Sequence, residues 1–160
     1  MPLGGYKECM PTTHEYPIDV AWTGGRQGSG RAVAGHSKTT TSIAVPEEFK
    51  GAGGGTNPEE MLTAAIASCY TMTFGIIAEN RKIPVKSLNV QATGEVEENG
   101  PTFTYKSVTI KPRIVLDASA TDDQKKIAED MAHKADNYCI ITNAVRGKVE
   151  ITVEPVITTE

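Results

Sequence analysis

One uncharged, helix-forming segment constrains the fold more than any other part of the chain. It reads NPEEMLTAAIASCYTM, from Asn57 to Met72, and after Glu60 no charged residue occurs until Glu79. Asn57 is a favourable N-cap, Pro58 suits the first helical position, and the acidic residues that follow complement the helix dipole. A helix that is apolar on every face has to be buried all round. Either the sheets of the same chain surround this helix, or a second subunit covers part of it.

The composition is that of an ordinary globular protein. The chain has 160 residues, of which 39% are hydrophobic and 22% charged, so one domain with a real core is expected. A net charge of −4 gives no basic surface for nucleic acid. We expect no membrane span, because no apolar run reaches ~20 residues, and no signal peptide, because residues 1–17 are polar. These features predict a cytoplasmic protein with an N-terminal extension, residues 1–16, and a single domain, residues 17–160.

The remaining pattern predicts an α+β fold. Strands are expected in the segments 18–23, 31–34, 39–45, 87–97, 103–116 and 148–157. Two of these segments flank the turn sequence ENGP and should form an antiparallel hairpin. A second helix is expected from about Asp122 to Tyr138, because Thr121 and Gln124 have the spacing of a capping box.

The three cysteines, Cys9, Cys69 and Cys139, form neither a disulfide framework nor a CxxC pair. In a reducing compartment each is either a buried filler or a redox-active thiol. Cys69 lies in the apolar helix, and Cys139 lies where the pattern of the second helix breaks. Spacing alone leaves both interpretations open. The histidines share no ligand spacing and the glycine runs lack a phosphate-loop ending, so neither a metal site nor a phosphate loop is expected.

Three motifs together resemble the OsmC/Ohr family, the osmotically inducible and organic hydroperoxide resistance proteins. GTNPEEMLTAAIASCY is similar to the first-cysteine motif of the family, CIITNAVRGKVEITV to the second, and WTGGRQGSGRAV to the GGR segment of the Ohr branch. Along the chain the three motifs occur in the same order as in the family, and together they span roughly residues 18–155. The chain departs from the family in having Ile140 directly after the second cysteine, where proline is usual. Its arginine loop is also two residues longer than the usual GGRDGRA form.

The resemblance implies a fold of antiparallel sheets around long buried helices, in an intertwined homodimer. It also implies a thiol-dependent peroxidase that reduces organic hydroperoxides without a cofactor. Cys69 would form a sulfenic acid and then a disulfide with Cys139. Arg26 takes the position of the catalytic arginine, although Arg31 competes with it in the longer loop, and Glu59 would hold that arginine. The reductant would be a dithiol, in the family a lipoylated protein.

The chemistry that these residues permit agrees with that activity. A thiolate attacks the O–O bond of a peroxide, so the attacking cysteine has to ionise. Burial in an apolar helix opposes ionisation of Cys69 unless a cation such as Arg26 stands nearby. An apolar lining would favour an organic peroxide over hydrogen peroxide. Two alternatives stay open: a redox sensor or other thiol chemistry on a small electrophile, and a non-catalytic dimer that binds an apolar ligand.

Helix geometry adds an expectation about the dimer. Ten positions separate Glu59 from Cys69, which in one unbroken helix is ~15 Å along the axis and about 80° around it. One arginine would hardly reach both groups. If the first helices of two subunits cross antiparallel near Ala64, the partner's Glu59 comes level with Cys69. We therefore expect an active site that is shared between two subunits.

Overall fold

The computed structural model describes residues 11–160. Contacts divide the chain into an N-terminal unit, which ends at Asn57, and a C-terminal unit, Pro58–Glu160. Residues 11–17 contain no helix or strand. Cys9 and the first ten residues of the expected extension lie outside the described residues. The expectation of a single domain over residues 17–160 stays a prediction.

The N-terminal unit contains a three-stranded antiparallel sheet in the order β1-β2-β3. Its strands are β1 (Ile18–Thr23), β2 (Ser29–Ala34) and β3 (Thr40–Ala44), followed by a 3₁₀ turn, Glu47–Phe49. The sequence predicted these strands to within a few residues at their ends. Ile18, Val20 and Trp22 alternate along one face of β1, and all three are exposed. This sheet therefore presents an apolar strip to its surroundings.

The C-terminal unit contains three helices and four strands. They are α1 (Pro58–Asn80), β4 (Val85–Asn99), β5 (Thr102–Leu116), α2 (Asp122–Lys134), α3 (Ile140–Val145), β6 (Glu150–Val153) and β7 (Val156–Thr159). The predicted hairpin is confirmed as the antiparallel pair β4–β5. The capping box is confirmed as well, because Thr121 and Gln124 each bond the backbone N–H of the other. The second helix is shorter than expected: after Lys134 the chain tightens into a 3₁₀ turn, Ala135–Tyr138.

The sheet of the C-terminal unit is mixed rather than wholly antiparallel. β5 pairs antiparallel with β4, but parallel with β6 and β7, because the chain crosses over through α2 and α3 before it returns to the sheet. The single last strand that was expected is two strands, separated at Glu154 and Pro155. Pro112 of β5 lies between the residues that pair with β6 and those that pair with β7. A proline cannot donate a ladder hydrogen bond, so it fits where the neighbouring edge is interrupted.

The core of this unit is built on one face of α1. Every fourth residue of that face is buried: Ile66, Tyr70, Phe74 and Ala78. They belong to a cluster with the inward residues of β5 and with Ala128 and Ala132 of α2. On the opposite face, Met72 is 65% exposed and Ile76 is 58% exposed. Within one chain, α1 is therefore not buried all round.

By length and composition alone, α1 would be able to cross a membrane. The core helix of a soluble protein meets the same criterion. One face of α1 does pack into the core just described, against β5 and α2. The opposite, exposed face of α1 is apolar and is not covered within one chain.

Candidate thiol site

Cys69 and Cys139 form a disulfide, with their Cα atoms 5.8 Å apart. Cys69 lies in the middle of α1 and is partly exposed, whereas Cys139 is fully buried between the 3₁₀ turn 135–138 and α3. The two residues are 70 positions apart in the sequence. Packing of α1 against the segment around Cys139 brings them together. The structure thus contains the pair that spacing alone left open.

The sulfur of Cys139 also caps α3. Its Sγ accepts the backbone N–H of Thr142 at 3.4 Å, and Thr142 is fully buried. Among residues 11–160 the hydroxyl of Thr142 has no hydrogen-bond partner. The sequence pattern does not indicate α3, because β-branched residues make IITNAV a poor helix former and cysteine is not a usual N-cap. The cap places Cys139 at a defined position on the surface of α1.

A polar network surrounds the segment that carries Cys139. Arg146 donates from Nη2 to the carboxylate of Asp136 at 3.0 Å and to its carbonyl oxygen at 3.3 Å. Nε of Arg146 donates to the side chain of Asn143 at 3.2 Å. Asn143 in turn donates to the carbonyl of Asn137 at 3.0 Å. Nothing in the sequence pattern indicated this network, because the burial of Asp136 depends on tertiary packing.

Tyr70, the neighbour of Cys69 in α1, is anchored in the core. Its hydroxyl donates to the carbonyl oxygen of Ala132 at 2.6 Å, and the residue is fully buried. The pKa of Tyr70 is raised well above its ordinary value, first because burial desolvates the phenolate and second because the charge of Asp136 opposes it. Tyr70 is therefore a neutral hydrogen-bond donor that ties α1 to the end of α2.

Glu59 lies in the first turn of α1 with an unsatisfied carboxylate. Its Oε2 is buried and has no hydrogen-bond partner in the part of the chain that the structure describes. Such an oxygen is costly unless a donor or cation reaches it. α1 is unbroken from Glu59 to Cys69, as the dimer expectation assumed. The two groups are thus separated by ~15 Å of one helix.

Arg26 lies at the tip of the β1–β2 hairpin. The N–H of Gly28 donates to the carbonyl of Gly25 at 2.8 Å, which closes a turn with Arg26 at its second position and exposed. A side chain at Gly28 would meet the ring of Trp22, so the turn needs glycine there. Arg31 instead lies within β2, on the face opposite Trp22. Both arginines belong to the N-terminal unit, and the association of either with Cys69 stays a prediction.

Known proteins show what the chain is related to. The family model for OsmC-like proteins matches residues 51–154. The chain belongs to the OsmC-like family. Among curated proteins, this OsmC-like chain is similar to the uncharacterised protein YmaD of Bacillus subtilis (strain 168), with 34% identity over 141 residues that cover 88% of this chain and 93% of YmaD. It is 26% identical to the organic hydroperoxide resistance protein of Xanthomonas axonopodis pv. citri (strain 306), over 86% of this chain and 92% of that protein.

Solved structures agree with the OsmC-like fold. The organic hydroperoxide resistance protein OsmC from Legionella pneumophila superposes with a TM-score of 0.67 at 21% identity, over 92% of this chain and 100% of that chain. The family resemblance and the α+β fold class are therefore confirmed.

The arrangement in this OsmC-like protein can carry thiol–disulfide chemistry. Two sulfurs within bonding distance can cycle between two thiols and one disulfide, and only one of them is accessible from outside. Between residues 11 and 160, no group of three or more His, Cys, Asp or Glu residues is placed to hold a metal ion.

Proposed function

We propose that this OsmC-like protein is a thiol-dependent peroxidase that reduces organic hydroperoxides to alcohols. The observation that carries the proposal is the Cys69–Cys139 disulfide, which joins a partly exposed sulfur in an apolar helix to a fully buried one. The Xanthomonas relative, named for organic hydroperoxide resistance, supports the same class of substrate. The apolar residues of α1 on either side of Cys69 favour an alkyl-bearing peroxide.

The proposed cycle has three steps. The thiolate of Cys69 attacks one peroxide oxygen, the O–O bond breaks, the alcohol leaves with a proton, and Cys69 becomes a sulfenic acid. The thiolate of Cys139 then attacks that sulfur and forms the disulfide, and the hydroxide that leaves takes up a proton to become water. A dithiol reductant, such as a lipoylated protein of the cytoplasm, exchanges with the disulfide, is itself oxidised to a disulfide, and restores both thiols.

A second copy of the chain is the proposed cover for the exposed face of α1. That face carries a stripe of apolar and small residues at spacings of three and four: Met61, Ala64, Ser68, Met72 and Ile76. Exposed apolar stripes of this kind mark interfaces. Ala64 and Ser68 would allow two helices to approach closely. An antiparallel crossing near Ala64 would bring the partner's Glu59 level with Cys69.

Arg26 is the proposed link between the carboxylate and the thiolate. The buried, unpartnered oxygen of Glu59 supports this, because a guanidinium can bond a carboxylate and still direct N–H groups at a sulfur. Arg26→Lys should lose much of the activity even though the charge is kept, because an ammonium lacks the planar fork. Arg31→Lys is the matched control. If Arg31→Lys were damaging and Arg26→Lys harmless, the longer loop would have moved the catalytic position.

Peroxide consumption with dihydrolipoamide as reductant tests the proposed activity, with an alkyl hydroperoxide compared against hydrogen peroxide. Cys69→Ser should abolish the reaction, because a hydroxyl is a far poorer nucleophile at neutral pH. Cys139→Ser should allow one turnover and leave Cys69 open to overoxidation, whereas Cys9→Ser should change little. No turnover of either peroxide by the wild type would refute a peroxidase. Disulfide formation without sustained turnover would favour the sensor.

Complementation tests the shared site. Chains with Cys69→Ser and with Glu59→Gln would be co-expressed with different tags, and the heterodimer purified through both tags. If Glu59 serves the partner's Cys69, one of the two sites is fully wild type and about half of the activity returns. If both residues act within one chain, every site is damaged. Activity would then stay near that of the single variants, and the shared site would be wrong.

A further inference from the structure

Cys139 lies inside a segment that closes on itself through polar contacts. Asp136, three residues before Cys139, and Arg146, seven residues after it, form an ion pair with N–O distance 3.0 Å. The carbonyl of Asp136 also accepts the N–H of Cys139 at 3.2 Å. Asp136 therefore contacts both the backbone of the cysteine and the side chain that closes the segment.

The carboxylate of this ion pair is largely removed from water. Asp136 is only 7% exposed, whereas the side chain of Arg146 is 43% exposed. A buried carboxylate that is bonded by a guanidinium keeps a fixed geometry, because losing that bond would leave a charge in a poorly solvated position. Nε of Arg146 donates to the side chain of Asn143, which donates in turn to the carbonyl oxygen of Asn137. None of these bonds is made by the disulfide itself, so all of them can form while the cysteines are reduced.

We propose that Asp136 and Arg146 are positioning residues, whose ion pair holds the segment 136–146 so that Cys139 stays within reach of Cys69 when the disulfide is open. The consequence for turnover, rapid capture of the Cys69 sulfenic acid, rests on the peroxidase function proposed above. The positioning of Cys139 by the ion pair does not depend on that function. Tyr70 provides the matching anchor on the other side, because it fixes α1 beside Cys69 through its bond to Ala132.

Such positioning is measurable as the effective concentration of one thiol at the other. Purified reduced protein would be equilibrated with defined ratios of reduced and oxidised glutathione. In the net reaction two protein thiols and one oxidised glutathione give the protein disulfide and two reduced glutathiones. Arg146→Gln and Asp136→Asn should each lower this equilibrium constant about tenfold, because a loosened segment has to be ordered before the bond forms. Arg146→Lys, which keeps the charge but loses the fork, should lie between them and the wild type.

A surface ion pair on α2 supplies the matched control. Lys134 pairs with Asp130 one turn before the network, and both side chains are about half exposed. Lys134→Gln should leave the equilibrium constant unchanged. Asp136→Asn is nearly isosteric, so it carries the test if Arg146→Gln does not fold. Thermal unfolding of the reduced and oxidised forms would be measured for every variant.

The outcomes separate a positioning role from a purely structural one. An ion pair that only stabilises the fold would contribute equally to both redox forms, so its loss would lower both melting temperatures and leave the equilibrium constant unchanged. That result would overturn the positioning role. Because glutathione replaces peroxide in this experiment, a wild type that consumes no peroxide would refute the peroxidase and leave the positioning result intact.

Discussion

Reducing the disulfide should destabilise the C-terminal unit by a calculable amount. The bond between Cys69 and Cys139 closes a loop with a sequence separation of 70, and both ends lie in that unit. In the chain-entropy model, such a loop restricts the unfolded chain by about 15 cal/mol/K, or roughly 4.4 kcal/mol at 25 °C. With the packing of both residues kept in the reduced form, most of this difference should appear in the free energy of unfolding.

Urea denaturation of the oxidised and the reduced wild type measures this difference. With a slope of ~2 kcal/mol/M for a chain of this size, the reduced form should unfold at about 2 M lower urea. Cys139→Ser cannot form the bond and should match the reduced wild type under both conditions. Cys9→Ser should retain the full difference between the two forms.

Two results would contradict this reasoning. If the oxidised and reduced wild type unfolded at the same urea concentration, the bond would not constrain the unfolded chain as the model assumes. If Cys139→Ser still gained stability on oxidation, another pair of cysteines would be bonding. Peptide mapping under non-reducing conditions would identify that pair, and a Cys69–Cys9 bond would overturn the assignment of Cys139.

Three further predictions concern Tyr70 in α1 and Gly94 in β4. Tyr70→Phe should lower the free energy of unfolding by about 1–2 kcal/mol in urea, because the buried bond to Ala132 is lost. Since the pKa of Tyr70 is raised in the fold, its contribution is complete below the unfolded value of about 10 and is lost as pH rises above it. Wild-type stability should therefore fall more steeply above pH ~10 than that of Tyr70→Phe, and equal slopes would refute the shift. Gly94→Ala should cost ~1–3 kcal/mol, because the added carbon overlaps the bonded hydroxyls of Tyr105 and Thr63. Adding Tyr105→Phe should recover part of that loss, and no recovery would place the strain elsewhere.

Local signals in the sequence were sufficient for most of the elements. The strand Ile18–Thr23 has the predicted bounds, and α1 begins at Pro58 as its capping pattern indicated. The capping box of α2 could be recognised in the sequence because both of its residues lie within one helical turn. Such features depend on the dihedral preferences and hydrogen bonds of near neighbours, which a sequence window contains. The disulfide between Cys69 and Cys139 was predicted from the family resemblance, because the spacing of the cysteines alone does not identify a pair.

Contacts between distant residues decided the rest. Asp136 resembles any acidic residue at the end of an amphipathic helix, and only packing makes it a buried partner of Arg146. The short helix α3 forms against its own propensities, because α1 and the sulfur of Cys139 support it. The break between β6 and β7 lies beside Pro112, more than 40 residues earlier in the chain, and only pairing in the sheet brings the two together. Local rules determined where β1, α1 and α2 begin, because such rules act within a few residues. Pairing and burial instead depend on free energies that arise only when remote segments meet.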